Sequence, residues 1–239
     1  HILRSHLTNL VLRPVSSLYR LFFVVTDTAV TTVRFDWATG LADKPVPPLA
    51  DKPPMDLQSW EQELDRIASR AQTMGEVDLL VDGGHESFVV MSGPGDSDVA
   101  NDRRDIALQC LSDRGFTDIP VLQGDFSYQS GKDCLAKWMQ DHPPPDAVIC
   151  SNDTMAIGCI DEARGTFGIK VPERMSVVGF DGIQAAFWSG YELTTIRQPV
   201  NQMAKAAVEI LMERVENPEA PPEKRVLAGA LIKGKSARS

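Results

Sequence analysis

The stretch AVICSNDTMAIGCIDEARG, residues 147–165, carries the reading of the fold. Its first four residues, Ala147 to Cys150, form a continuous apolar run of strand length without polar alternation, the pattern of a strand covered on both faces. Ser151, Asn152 and Asp153 interrupt it, and Thr154 to Gly165 then has the length of a helix, with Asp153 its natural N-cap. The same unit of strand, polar turn and helix recurs on either side. Ser87 to Ser92 precedes a helical segment Asp102 to Arg114, Ile119 to Gln123 precedes Ser130 to Asp141, and Ser176 to Phe180 supplies a fourth strand. Strands that alternate with helices predict a doubly wound parallel α/β sheet, because parallel neighbours need crossover connections. Met203, Ala207, Ile210, Leu211 and Val215 mark a return helix over 201–217, stopped by Asn217-Pro218, before a last apolar run from Arg225 to Ile232.

N-terminal to this array the text changes. Residues 1–26 contain no acid and show no clean period; Arg4, Arg13 and Arg20 interrupt them, so a fragment edge accounts for the start at His1 better than a secretory signal does. Between Leu41 and Pro54, LADKPVPP followed by LADKPP is a tandem duplication whose prolines predict an exposed linker. Leu57, Trp60, Leu64, Ile67, Ala71 and Met74 form a stripe at spacings of three and four, a packing helix expected to end near Gly75. The expected organisation is a first-lobe remnant over 1–32, a linker with the extra helix over 33–82, and a ligand-binding lobe over 83–239.

The 239 residues include 33 acidic and 24 basic side chains, a net charge of −9. That balance repels phosphate backbones and argues against direct nucleic-acid binding by this chain. No stretch reaches the roughly 18 apolar residues of a membrane helix. Four cysteines without metal spacing fit a reducing cytosol, so a cytoplasmic location is expected.

In open parallel sheets ligands bind outside the carboxyl ends of the strands. That rule selects Arg103 near the start of the first helix, Phe126 after the second strand, Asn152 after the third and Asp181 after the fourth. A guanidinium, an amide, a carboxylate and a ring suit a polyhydroxylated ligand such as a sugar, with paired hydrogen bonds to hydroxyls and the ring against the C–H face. Bland roles compete: Arg103 as a solvated helix residue, Asn152 closing a turn, Phe126 in the core, Asp181 shaping a turn with Gly182. Enzymatic signals are weak. Gly93-Pro94-Gly95 lacks the third glycine of a dinucleotide loop, His85 and His142 lie away from the crevice, and no cofactor or metal is implied.

SGPGDS (92–97), GDFSYQSG (124–131), PDAVICSNDTMAIGCIDEAR (145–164), VPERMSVVGFDGI (171–183) and LTTIRQPVNQMAKAAVEILMERVENPEAPP (193–222) together resemble the effector-binding domain of LacI/GalR-family bacterial transcription regulators. The resemblance implies a periplasmic-binding-protein-like type I fold with one lobe complete and the other a remnant. By it, Phe126 stacks on the ligand, Arg103 grips hydroxyl or carboxylate groups, and Asn152 and Asp181 make polar contacts. VTTVRFDWATG (30–40) looks like the family's strand-turn-helix entry to the second subdomain, and Asp27 matches a first-subdomain aspartate. The expected function is sensing of a sugar or related metabolite to modulate DNA binding through an N-terminal helix-turn-helix that these residues do not contain, in a homodimeric full-length protein. A transporter's sugar-binding protein is the second reading and a sugar- or nucleotide-processing enzyme the third. Half of a two-lobed clamp is expected to bind weakly.

Overall fold

The computed structural model describes strand placements at residues 7–8, 19–26 and 29–36, and then residues 73–218, 225 and 227–238. The chain divides into two compact units, His1–Glu63 and Leu64–Ser239. In the first, strands β1 (Leu7–Thr8), β2 (Tyr19–Thr26) and β3 (Ala29–Asp36) form an antiparallel sheet in the order β1-β2-β3. Val30 to Asp36 therefore belongs to one strand of a hairpin, in register from Tyr19↔Asp36 to Thr26↔Ala29. The turn and helix expected after it, the proline linker, the helical stripe before residue 73 and Asp27 lie outside the described residues.

The second unit opens with helix α1, described over 73–82, followed by β4 (Phe88–Ser92), α2 (Asp98–Asp113), β5 (Val121–Gln123), α3 (Tyr128–Asp141) and β6 (Ala147–Cys150). Helix α4 (Asp153–Gly165), β7 (Ser176–Asp181), a 3-10 turn (Gln184–Phe187), β8 (Thr194–Arg197), α5 (Val200–Glu216) and β9 (Ala230–Ile232) complete it. The sheet order is β5-β4-β6-β7-β8-β9, parallel throughout except β9, which runs antiparallel to β8. All four expected strands are present and parallel. Two elements were not foreseen: β8, a four-residue strand carrying two threonines, and the antiparallel closing strand taken from the end of the last apolar run.

Alternation along the buried strands divides the core in two. Val148 and Cys150 of β6 face a cluster built with Leu135, Met155 and Ile160, while Ala147 and Ile149 face one built with Leu80, Ile106 and Leu111. All four cysteines are buried. Helix α1 does not end at Gly75. It buries Val77, Leu79 and Leu80 in the second cluster, so residues placed with the linker by sequence pack under the sheet. Its stop is Gly84, at φ 76°, where Gly83 N–H and Gly84 N–H cap the carbonyls of Leu79 and Val81. Helix α5 forms as expected yet buries none of its residues; Val208, Leu211 and Val215 are exposed. Among the described residues no helix is long and apolar enough to cross a membrane.

Candidate functional site

Arg103 reaches the carboxyl ends of β6 and β7. Helix α2 begins four residues earlier than expected, capped by the Ser97 hydroxyl, which accepts from the Ala100 N–H, so Arg103 lies in its second turn. From there its guanidinium donates to the Ser151 carbonyl at 2.7 Å and to Asp181 Oδ1 at 3.0 Å, and it rests 4.0 Å over the Phe180 ring. The ion pair is partly open, with side-chain exposures of 17% for Arg103 and 30% for Asp181. The Gln198 side chain donates to the same Asp181 oxygen at 2.7 Å.

Asp181 ends β7 at φ 120°, outside the regions that an L side chain favours. Two interactions hold it there: its carbonyl accepts from the Gln198 N–H at 3.1 Å, and the next turn is fastened through Ile183 N–H to Asp153 Oδ2 at 2.8 Å. Phe126 is half-buried at φ 70°. Gly93 makes room for its ring, since a Cβ on Gly93 would lie 2.3 Å from a ring carbon. Gly93-Pro94-Gly95 thus serves close packing of an aromatic ring at the site.

Asn152 takes the capping role that sequence gives to Asp153, and Asp153 moves into the buried interior. Asn152, not Asp153, is the N-cap of α4, its Oδ1 accepting from the Met155 N–H at 2.9 Å, while its Nδ2 donates to the Phe126 carbonyl at 3.0 Å. Asp153 is fully buried and accepts from the Thr195 hydroxyl at 2.6 Å as well as from Ile183. Burial pushes its carboxyl up to about 6, against the hydrogen bonds from Thr195 and Ile183, with the Asp181 charge adding to the rise. The shift of the cap has a local cause. An N-cap needs extended backbone, and Asn152 has it (φ −152°, ψ 167°), whereas Asp153 already lies in the first turn.

The structure therefore brings Arg103, Phe126, Asn152 and Asp181 to one edge. Sequence reasoning missed Gln198 there, because β8 was not recognised as a strand and the carboxyl-end rule was never applied to it. His85 is buried at the opposite edge, and His142 stacks on Trp138 with ring centroids 3.9 Å apart. Among the described residues no group of three His, Cys, Asp or Glu side chains is arranged to hold a metal.

Residues 77–237 match the family described as periplasmic binding protein-like domain. The HTH-type transcriptional repressor PurR of Aliivibrio salmonicida (strain LFI1238) is 31% identical over 171 residues, 69% of this chain and 51% of that protein. The HTH-type transcriptional repressor CytR of Escherichia coli (strain K12) is 29% identical over 165 residues, 68% of this chain and 48% of that protein. The chain spans about half the length of these curated relatives. A crystal structure of the lac repressor dimer, bound to operator and the anti-inducer ONPF, superposes with a TM-score of 0.66 at 26% identity, covering 73% of this chain and 59% of that one. The chain belongs to the periplasmic binding protein-like domain family, and its sheet and helices are those of a LacI/GalR-type effector-binding domain.

Proposed function

We propose that this lobe senses a sugar or a related polyhydroxylated metabolite for a LacI-type transcription regulator. The observation that carries the reading is the Arg103–Asp181–Gln198 network at the carboxyl edge, facing outward beside Phe126. A guanidinium donates and a carboxylate accepts in adjacent positions, which suits vicinal hydroxyls, and the ring offers an apolar face. Asn152 contributes by fixing Phe126 through its carbonyl.

In this reading the effector biases lobe closure, and the bias passes to a DNA-binding helix-turn-helix that lies outside these residues. The regulator acts in the cytoplasm as a homodimer. The named relatives are repressors, which favours a sensor over an enzyme and over a transporter's solute-binding protein. Titration of the chain with ribose, galactose and adenosine up to tens of millimolar, by calorimetry and NMR, tests the proposal. One of them should bind, in the micromolar to millimolar range, and Arg103→Ala and Asp181→Ala should each weaken it about ten-fold or more, the loss of one charge-assisted hydrogen bond. Binding that both variants leave unchanged places the site elsewhere.

A further inference from the structure

Behind Arg103 the chain buries a carboxyl with incomplete hydrogen bonding. Glu76 of α1 is 2% exposed, and its Oε1 has no hydrogen-bond partner. It borders a cavity of about 10 Å³ whose polar wall also includes Thr73, Arg103 and Ser151, with Val90 and Phe180 among the apolar remainder. A cavity of roughly that volume holds one water, provided that two or more polar groups line it, as they do here. The charged and polar groups facing Glu76 come from several elements: Arg103 of α2, Asp153 of α4 and the Ile196 N–H of β8. Burial, reinforced by Asp153, pushes the Glu76 carboxyl well above the usual range, against Arg103 and Ile196. The Ile196 N–H gives one carboxyl oxygen a partner, whereas Oε1 is left desolvated without one.

Arg103 is the group this carboxyl can serve. Its two terminal nitrogens donate to the Ser151 carbonyl and to Asp181, its face rests on Phe180, and its one ion pair among the described residues is with Asp181. We propose that a single water in the cavity joins the Glu76 carboxyl to the inner side of the Arg103 guanidinium, making Glu76 a positioning residue for effector binding. The inference rests on the reading of Arg103 as an effector contact. An arginine tethered from within keeps its orientation when an effector competes for Asp181, and the effector then meets a pre-set donor.

The consequence is a loss of binding without a matching loss of stability. Glu76→Leu removes a desolvated oxygen but also the acceptor of the Ile196 N–H, so its melting temperature should stay near the parent's, yet it should weaken binding of the responsive compound among ribose, galactose and adenosine about ten-fold. Glu76→Gln keeps a polar partner for the water and should stay within about two-fold of the parent. A role confined to stability would not weaken binding while leaving the melting temperature near the parent's. If Glu76→Leu and Glu76→Gln both bind within about two-fold of the parent while Arg103→Ala binds poorly, the positioning role is wrong and the effector reading stands. If Arg103→Ala also binds normally, both fall. A crystal structure of the chain decides the bridge without any ligand, and also if Glu76→Leu does not fold. Water density within about 3 Å of both Glu76 Oε1 and a guanidinium nitrogen supports it. A direct Glu76–Arg103 ion pair, or a dry cavity, overturns it.

Discussion

The two ends of the parallel sheet use polar groups in contrasting ways. At the amino end the buried groups close on one another. His85 Nδ1–H donates to the Leu80 carbonyl at 2.5 Å, which leaves Nε2 to accept from the Ser176 hydroxyl at 2.7 Å, and Ser176 Oγ in turn accepts from the Arg238 N–H at 3.0 Å. Ser236 donates to the Val177 carbonyl at 2.6 Å and accepts from the Thr194 N–H at 2.9 Å. Asp146 gathers the Glu86 and Ser87 N–H groups and Arg174; burial pushes its carboxyl up, but these partners together hold it below its ordinary value. At the carboxyl end Arg103 and Asp181 are partly open and Asp181 sits at φ 120°, whereas the positive φ values at the amino end, 56° at Asp118 and 43° at Glu192, stay near the left-handed region. Closed circuits hold the sheet together, whereas an open pair with one strained residue marks the edge proposed to meet an effector.

Breaking the amino end should cost the most stability and leave binding alone. His85→Ala removes a fully buried ring, opens a cavity and leaves the Ser176 O–H without its acceptor, while the Leu80 carbonyl keeps the backbone N–H of residue 85, an expected loss of about 3 kcal/mol. Denaturant unfolding measures it, and effector titration below the transition should give an unchanged affinity. A loss under about 1 kcal/mol would show that the circuit is replaceable by solvent.

Asp153 stands between the two ends, a buried carboxyl at the site edge that fastens the Asp181 turn, and pH exposes its cost. Its folded value, about 6, is above that of an unfolded aspartate, so the native state binds the proton more tightly. Its contribution is therefore fully favourable below about pH 4 and is lost as pH rises to about 6, by up to about 3 kcal/mol. Unfolding free energies of the parent and Asp153→Asn across pH 4–7 should diverge in that window, the parent falling relative to the variant. Parallel profiles would mean that Thr195 and Ile183 hold the carboxylate without penalty.

The fold was legible because β4, β6 and β7 are continuous apolar runs, and the carboxyl-end rule then located Arg103, Phe126, Asn152 and Asp181. What escaped has physical reasons. Thr194-Thr195-Ile196-Arg197 buries two threonines by tying them to Gly234 N–H and Asp153, so polarity concealed an interior strand and Gln198 with it. Glu76 was invisible because a lone acid in a helix reads as solvent-facing until the packing of α1 is known. The shift of the cap from Asp153 to Asn152 turns on one residue of helix boundary, which composition does not specify.

The strain at the carboxyl end can be measured apart from its hydrogen bonds. Asp181→Ala and Asp181→Gly both remove the carboxylate, and with it the Arg103 pair and the Gln198 side-chain bond, so both should weaken effector binding alike. They differ in what they do to the backbone at φ 120°. Alanine retains the Cβ that makes this conformation unfavourable, whereas glycine adopts it freely, although glycine also gives the unfolded chain more conformations to lose. Because the residue is held by its own carbonyl to the Gln198 N–H, the backbone keeps its course in either variant. Relief of strain of roughly 1 to 3 kcal/mol against an entropic cost of under about 1 leaves the glycine variant the more stable by about 1 kcal/mol. Unfolding of the two variants side by side measures the difference. An alanine variant equal to or more stable than the glycine one would show that Asp181 sits without strain, and the contrast between the two ends of the sheet would then rest on exposure alone.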